Sequence, residues 1–161
     1  MEGVPLLGAP IWEDYRMEFS RQATINWSGS IMEGKGSVAA GSGAFSLPVT
    51  FPRRIGEPEG VTSPEELMAA AHAACYAMAL NATVGKKGGA IGKTTITCKV
   101  TADKGDAGIT ITTSALSLTV EGLTGIDAAA FPEVAEAAKN GCPVSKAYAG
   151  SMKITLDVKV L

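Results

Sequence analysis

The chain has 161 residues, which suits one domain with an additional arm. Apolar residues make up 46% of it and charged residues 19%, a composition that provides a packed core and excludes an intrinsically disordered chain. The formal net charge is −2 and the sequence has no basic stripe, so a protein that tracks nucleic-acid phosphates is not expected.

The N-terminal segment contains Pro5 and Pro10 but no regular hydrophobic period. Residues 1–20 are therefore predicted to form an arm that packs on the domain or on a partner subunit, and residues 21–161 to form a single domain. The segment lacks a basic stretch followed by a continuous apolar run, so no secretory signal is predicted and the cytoplasm is the expected compartment. In a reducing compartment the three cysteines are expected to be reactive or buried rather than structurally paired.

Three short strands are predicted first. Residues 23–27 alternate in period two, a glycine-rich run leads into a second strand at 37–40, and residues 45–49 alternate as a third. Pro48 favours an edge position or a bulge for the third strand, because proline cannot donate a ladder hydrogen bond. Residues 52–63 are rich in proline and glycine and are predicted to form a loop.

A long central helix is the clearest element of the sequence. Ser63 suits the N-cap, Pro64 the first helical position and Glu66 the third position of a capping box, while Gly85 is a plausible terminator. The apolar run at 67–80 is shorter than the roughly 20 residues of a membrane-spanning helix and contains a histidine. Because the helix is apolar on nearly every side, we predict that it is buried and enclosed by other elements.

The second half of the chain is predicted to begin with two strands, at 94–102 and 109–120, which suit a half-buried antiparallel pair. A helix interrupted by a proline follows at 127–139. A short helix then opens at Cys142–Pro143, and an alternating strand at 152–160 ends the chain. These patterns predict an α+β protein, mainly antiparallel sheet around one buried helix.

The three cysteines differ in their surroundings. Cys75 lies about three turns into the central helix, so the helix dipole does little for its thiol, and burial without reactivity is the alternative to a reactive role. Cys142 precedes a helix start, where unpaired backbone N–H groups lower the pKa of a thiol, although it could also be a packed cap residue. Cys98 lies in a strand rich in threonine and valine and is interpreted as buried and inert.

Two glutamates begin the central helix. Glu66 is assigned to the capping box, which leaves Glu65 free to hold another group. A buried carboxylate requires a cationic partner, and the upstream loop offers Arg53 and Arg54. A planar guanidinium could bridge this carboxylate and the thiolate of Cys75 and so stabilise that thiolate. The alternative is that one or both arginines are solvated loop residues.

His72 is the only histidine. At about 100° per residue, Glu65, His72 and Cys75 fall within an arc of about 80° on the helix. His72 could hydrogen-bond a thiolate, whereas a lone histidine on an apolar helix is more often a satisfied core residue. These three side chains lack the paired short spacings of structural zinc sites, so no metal is predicted.

Two strings in the sequence are similar to a known family. SPEELMAAAHAACYAMAL, followed later by GCPVSKA, resembles the OsmC branch of the OsmC/Ohr family of organic hydroperoxide reductases. WSGSIMEGKGSV and MKITLDVKV resemble that family's first and last strands, so the likeness covers roughly residues 21–161. The histidine of HAAC and the valine of CPVS favour the OsmC branch over the Ohr branch.

The resemblance implies an OsmC-like fold, built as an intertwined homodimer with two central helices wrapped by sheets from both chains and active sites at the interface. It makes Cys75 the peroxidatic cysteine and Cys142 the resolving one. Arg54 of FPRR and Glu65 of PEEL correspond to the arginine and glutamate that hold the thiolate. The spacing between the arginine and PEEL departs slightly from the family pattern, so Arg53 remains an alternative to Arg54.

The activity implied by the resemblance is a thiol-dependent peroxidase. Organic hydroperoxides, and hydrogen peroxide less well, would be reduced through a Cys75 sulfenic acid and a Cys75–Cys142 disulfide. An external dithiol, either a lipoylated protein or a small dithiol, would then reduce the disulfide, and no metal, flavin or haem is required. Two other functions are compatible with the residues: a module that binds a small apolar ligand, and a redox sensor without turnover.

Overall fold

The computed structural model describes residues 17–161, so nearly all of the arm predicted at 1–20 lies outside the described residues. The described part of the chain contains two three-stranded sheets, a long helix and three shorter helices. The predicted α+β class with a long central helix is therefore confirmed.

The first sheet is an antiparallel meander. It consists of β1 (Ala23–Ser28), β2 (Lys35–Ala40) and β3 (Ser46–Val49), in that spatial order. Pro48 lies in the edge strand β3 opposite Ser37, which confirms the predicted edge position, because an edge strand needs to pair on one side only. The main contacts of this sheet are among its own strands.

A short helix, α1 (Phe51–Ile55), occupies the start of the segment 52–63, so the predicted loop is wrong there. The Thr50 hydroxyl caps this helix by accepting a hydrogen bond from the Arg53 N–H at 3.3 Å. Pro52 falls in the first turn, where its missing N–H costs no hydrogen bond. The proline that suggested a loop is thus part of a helix start.

The central helix, α2 (Pro64–Lys86), begins where the sequence predicts and ends one residue beyond Gly85. The Ser63 hydroxyl accepts from the Glu66 N–H at 3.2 Å, as expected of an N-cap. One stripe, with members four residues apart, is buried by the chain: His72, Tyr76, Leu80 and Val84. Because Met78 on another side is 68% exposed, a single chain encloses only one face of this apolar helix.

The second sheet carries the core. Strands β4 (Lys93–Gly105) and β5 (Gly108–Glu121) pair antiparallel, and β6 (Lys153–Val160) pairs parallel with β5. The parallel pair requires a crossover, which α3 (Phe131–Gly141) and α4 (Pro143–Tyr148) supply. The helix α2 packs mainly against β4 and α3.

The start of α3 differs from the prediction. The sequence suggests a helix at 127–139 that Pro132 interrupts, whereas the helix begins at Phe131 with Pro132 in its first turn. Proline is favoured there because the first N–H groups of a helix have no intrahelical partner. Phe131 is fully buried and joins the core side chains of α2 and β5, which include Tyr76, Leu80, Leu116, Leu118 and Val120.

Replacement of Phe131 by alanine is expected to lower the free energy of unfolding by about 3–5 kcal/mol, because a fully buried ring leaves a cavity. Phe131→Leu keeps most of the apolar volume and should cost less than about 1.5 kcal/mol. Urea unfolding of both variants measures the difference. Equal losses in the two variants would contradict the packing described for this ring.

Candidate active site

Cys75 and Cys142 come together from different elements. Cys75 lies on α2, and Cys142 is the residue between α3 and α4. The two thiols lie close enough for each to shift the pKa of the other, and neither is in a disulfide. Cys142 is fully buried, whereas Cys75 is partly exposed. The structure therefore brings together the two cysteines to which the sequence assigns chemistry, with the accessible one on the central helix.

The Cys142 thiol is the more acidic of the pair. Burial raises its pKa, but the Ser145 N–H and hydroxyl, the Cys75 thiol and the Val144 N–H together lower it by more, so the pKa lies below its ordinary value. Val144 and Ser145 lie in the first turn of α4, directly after Cys142 and Pro143.

The Cys75 thiol is shifted in the opposite direction. Burial raises its pKa, the Val144 N–H lowers it, and the side chain and charge of Cys142 raise it further, so the pKa lies above its ordinary value. Two thiolates this close repel, so ionisation of Cys142 disfavours ionisation of Cys75.

Arg54 forms a bidentate pair with Glu65. Its Nε lies 3.1 and 3.2 Å from the two carboxylate oxygens, and its Nη2 lies 2.7 Å from Oε1. Burial raises the pKa of Glu65, but the hydrogen bond and charge of Arg54 lower it below its ordinary value. Arg53 turns away, since its guanidinium pairs with Glu59 and donates to the Glu57 carbonyl. The arginine that meets Glu65 is therefore Arg54.

The Arg54–Glu65 pair does not meet Cys75 of its own chain. Glu65 and Cys75 share a helix face but are ten residues apart on α2, a rise of about 15 Å at 1.5 Å per residue. The sequence predicts only that Glu65 and Cys75 point in similar directions around the helix axis, and similar direction does not bring them close along it. One chain thus presents a thiol pair and an arginine–glutamate pair as two separate groups.

A small cavity adjoins the arginine–glutamate pair. It has a volume of about 170 Å³ and is bounded, besides Arg54 and Glu65, by Ile55, Ala102, Lys104 and Ile109. Cationic side chains beside apolar ones suit a molecule with one polar end and one alkyl end.

His72 is fully buried among hydroxyl groups. Its Nδ1 lies 2.7 Å from Ser114 Oγ and its Nε2 lies 2.8 Å from Ser145 Oγ. The Cys98 sulfur is 3.3 Å from Ser114 Oγ and 3.9 Å from the ring nitrogen, and the Tyr148 ring meets the imidazole edge-on at 5.3 Å between centroids. Burial lowers the pKa of His72, which favours the neutral ring.

His72 is therefore a core residue with both ring nitrogens hydrogen-bonded, and its partners are Ser114 and Ser145 rather than Cys75. Sequence reasoning missed Ser114 and Ser145, because one serine in a strand and one in a short helix carry no periodic signal. His72 itself indicated that such residues exist, because a buried imidazole needs two hydrogen-bond partners and the apolar helix around it provides none. Among residues 17–161, no three His, Cys, Asp or Glu side chains converge as metal ligands would.

Comparison with known proteins gives consistent matches. Residues 56–157 match the OsmC-like protein family. Peroxiredoxin OsmC of Escherichia coli strain K12 is 41% identical over 145 residues, which span 89% of this chain and 99% of the relative. Organic hydroperoxide resistance protein OhrA of Bacillus subtilis strain 168 is 30% identical over 128 residues, spanning 77% and 87%. The crystal structure of an organic hydroperoxide resistance protein from Elizabethkingia anophelis superposes with a TM-score of 0.73 at 25% identity and covers 91% of this chain and 100% of that chain.

The ion pair gives a pH-dependent contribution to stability. Because Arg54 depresses the folded-state pKa of Glu65 below its ordinary 4.5, the contribution is present above about pH 4.5 and is lost as the pH falls through the lower, folded value. Glu65→Gln has no such proton to gain, so it should lose less stability than the unmodified chain between neutral pH and about pH 3. Urea unfolding at both pH values measures this difference, and an equal acid loss in both proteins would contradict the assignment.

Proposed function

The chain belongs to the OsmC-like protein family, and on this premise we propose that it is a thiol-dependent peroxidase that reduces organic hydroperoxides, and hydrogen peroxide less well. The family predicted from the sequence is confirmed, and the names of the relatives support a peroxidase-type redox role. The observation that carries the proposal is the proximity of the Cys75 and Cys142 thiols, each of which shifts the pKa of the other, because a sulfenic acid formed on one sulfur could then be attacked by the other.

The proposed cycle has three balanced steps. The Cys75 thiolate attacks one peroxide oxygen, the O–O bond breaks, and the departing alkoxide takes a proton to leave as an alcohol while Cys75 becomes a sulfenic acid. The Cys142 sulfur then displaces the sulfenic hydroxyl, which leaves as water, and a Cys75–Cys142 disulfide forms. An external dithiol reduces this disulfide by exchange and is itself oxidised to a disulfide.

The first step requires a cation beside Cys75. Within one chain the surroundings raise the pKa of Cys75, and the Arg54–Glu65 pair is about 15 Å away along α2. A second copy removes this difficulty. If two α2 helices pack antiparallel and cross midway between Glu65 and Cys75, Glu65 of one helix lies beside Cys75 of the other.

The surface of α2 supports this homodimer. An exposed or half-exposed apolar stripe runs along the helix at the i, i+4, i+7 spacing of one face, through Leu67, Ala70, Ala71, Ala74 and Met78. The alanines lie midway between Glu65 and Cys75, where small side chains let two helix backbones approach closely. Cys75 borders this stripe, so Arg54 of the partner subunit would meet the thiol at the interface.

The first sheet supports the same assembly. Ile25 on β1 is 53% exposed and Trp27 is 39% exposed, although both are large apolar residues. A sheet needs cover on one face to be stable in water, and the contacts within this chain provide little of it. The elements of a partner subunit would cover this face, as an intertwined arrangement requires.

The cavity supports the proposed substrate class. Ile55 and Ile109 line it beside Arg54, so burial of an alkyl tail would favour an organic hydroperoxide over hydrogen peroxide. As the resemblance to the family implies, the reductant is proposed to be a lipoylated protein or a small dithiol in the cytoplasm, where thiols are kept reduced. The cycle uses only sulfur chemistry and requires no metal, flavin or haem.

Substitution of each cysteine should separate the steps. Cys75→Ser should abolish peroxide consumption, because the attacking sulfur is gone. Cys142→Ser should permit one oxidation and then stall or over-oxidise Cys75, while Cys98→Ser should turn over like the unmodified protein. Peroxide consumption with excess dithiol measures all three, and full turnover by Cys75→Ser would show that the roles are wrong.

Mass measurement after one equivalent of organic hydroperoxide separates the peroxidase from its alternatives. A loss of two hydrogens with Cys75 linked to Cys142 supports the cycle, whereas unchanged mass supports a module that binds a small apolar ligand with inert cysteines. Steady-state turnover with a dithiol distinguishes the enzyme from a redox sensor, which would be oxidised once without sustained consumption.

Mixing two inactive variants tests whether the site is shared between subunits. Cys75→Ser and Arg54→Ala should each be inactive as homodimers. After subunit exchange, a heterodimer pairs an intact Cys75 with an intact Arg54 of the partner subunit at one of its two sites, so activity should recover to about a quarter of the unmodified value. No recovery in a verified heterodimer would show that Arg54 serves its own chain.

A further inference from the structure

Two hydrogen bonds join α4 to α2, and both lie close to the thiol pair. Nε2 of His72 on α2 lies 2.8 Å from Ser145 Oγ on α4. The Tyr148 hydroxyl, one turn further along α4, donates to the Met68 carbonyl of α2 at 3.1 Å. The two helices are therefore held together by directional bonds as well as by packing.

These bonds define how the two helices pass each other. Between the two bonds, α2 goes back by four residues from His72 to Met68, whereas α4 goes forward by three residues from Ser145 to Tyr148. The helices therefore run antiparallel, with about one helical turn between the bonds.

One turn in the opposite direction leads to the cysteines. Cys75 follows His72 by three residues and Cys142 precedes Ser145 by three, a rise of about 4.5 Å in each case. Met68, His72 and Cys75 share one face of α2, because residues at i, i+4 and i+7 do. The register thus places Cys75 opposite Cys142, which agrees with the packing of Cys75 against the buried cluster that contains Cys142. We refer to the α2–α4 ladder for the three successive pairs Met68–Tyr148, His72–Ser145 and Cys75–Cys142.

Water has little access to the pair next to the thiols. His72 is fully buried, Ser145 is 6% exposed, and the Tyr148 ring meets the imidazole edge-on at 5.3 Å between centroids. A hydrogen bond in such surroundings is not readily exchanged for one to water, so it restrains the two helices more than an exposed bond would.

We propose that His72, Ser145 and Tyr148 are positioning residues that hold Cys142 of α4 opposite Cys75 of α2 through the two hydrogen bonds of the ladder. This role deepens the proposed peroxidase and rests on it for its part in turnover. When Cys75 is a sulfenic acid, the Cys142 sulfur forms the S–S bond as the S–O bond breaks, and the hydroxyl leaves with a proton as water. A thiol held in place reacts at a high effective concentration, which leaves a second peroxide less time to over-oxidise Cys75.

The effective concentration of one thiol at the other measures this positioning without any peroxide. The full-length protein is equilibrated with reduced and oxidised glutathione, where formation of the protein disulfide converts one oxidised glutathione into two thiols. Alkylation of the free thiols followed by peptide mass spectrometry gives the fraction with Cys75 linked to Cys142, separately from any mixed disulfide with glutathione.

Loss of either hydrogen bond is expected to lower the effective concentration. Ser145→Ala removes the bond to His72. Tyr148→Phe keeps the ring but removes the bond to the Met68 carbonyl. Each variant should lower the equilibrium constant for disulfide formation about tenfold, which is about 30 mV for this two-electron couple. Under excess hydroperoxide and dithiol, both should also convert more of Cys75 to sulfinic acid per turnover.

Ser114→Ala is the matched control. It also removes a buried hydroxyl from the imidazole, since Ser114 Oγ lies 2.7 Å from His72 Nδ1, but Ser114 belongs to β5 and both bonds of the ladder remain. Its effective concentration should match that of the unmodified protein. An equal fall in Ser114→Ala and Ser145→Ala would show that general loosening of the core is being measured, and would overturn the proposal.

The direction of the change separates positioning from acidity. The Ser145 hydroxyl lowers the pKa of Cys142, so loss of this effect alone would make the reduced pair less stable and increase disulfide formation. A rise or no change in Ser145→Ala therefore contradicts the ladder, and so does an unchanged Tyr148→Phe. If circular dichroism shows that Ser145→Ala does not fold, Tyr148→Phe decides alone, because it leaves Ser145 and Cys142 as they are.

The two proposals fail separately. A wild-type protein that consumes no hydroperoxide would remove the peroxidase, while the glutathione equilibrium would still be measured on the same sample. Conversely, normal turnover with unchanged effective concentrations in both variants would leave the peroxidase intact and remove the role of the ladder.

Discussion

The attachment of α2 to α3 is the interaction on which the arrangement of the site depends. Tyr76 lies next to Cys75 in sequence, is fully buried, and donates its hydroxyl to the Ala135 carbonyl at 3.1 Å. This bond ties the middle of α2 to α3, whose C-terminal end leads directly into Cys142. Two packed helices rather than a loop therefore position the two thiols, which suits the proposed disulfide between them.

Two features of the site oppose each other. Donors at the start of α4 favour a thiolate on Cys142, and this negative charge disfavours a thiolate on Cys75. Within one chain, the surroundings of the cysteine pair therefore favour a thiolate on the proposed resolving cysteine and disfavour one on the proposed attacking cysteine. In the proposed cycle, attack on a peroxide requires a positive charge that favours the thiolate of Cys75. Each chain holds Arg54 near the start of α2, paired with Glu65 and away from its own Cys75. A symmetric pair of α2 helices would therefore bring an arginine to each of the two Cys75 thiols at once.

The sequence predicted the features that depend on local chemistry. The Ser63 cap and Pro64 predicted the start of α2 correctly, and the position of Cys142 before Pro143 predicted the lowered pKa of its thiol. The features that depend on distant partners were missed. The parallel pairing of β6 with β5 is fixed by a crossover and has no local signature, and α1 was hidden because its proline serves a helix start. The prediction that Glu65 lies near Cys75 considered the direction of each side chain around the helix and not their separation along it. Ser114 and Ser145 could be recognised only as the hydrogen-bond partners of His72, which lies between them in the fold.

The isolation of the first sheet has a consequence for folding. The strands β1 to β3 pair among themselves and leave Ile25 and Trp27 exposed, so this part of the chain gains little hydrophobic stabilisation from the rest of its own subunit. In the proposed assembly that stabilisation arrives only when two chains meet. The midpoint of thermal unfolding would then rise with protein concentration, and a newly synthesised chain would complete its fold only on finding a second one.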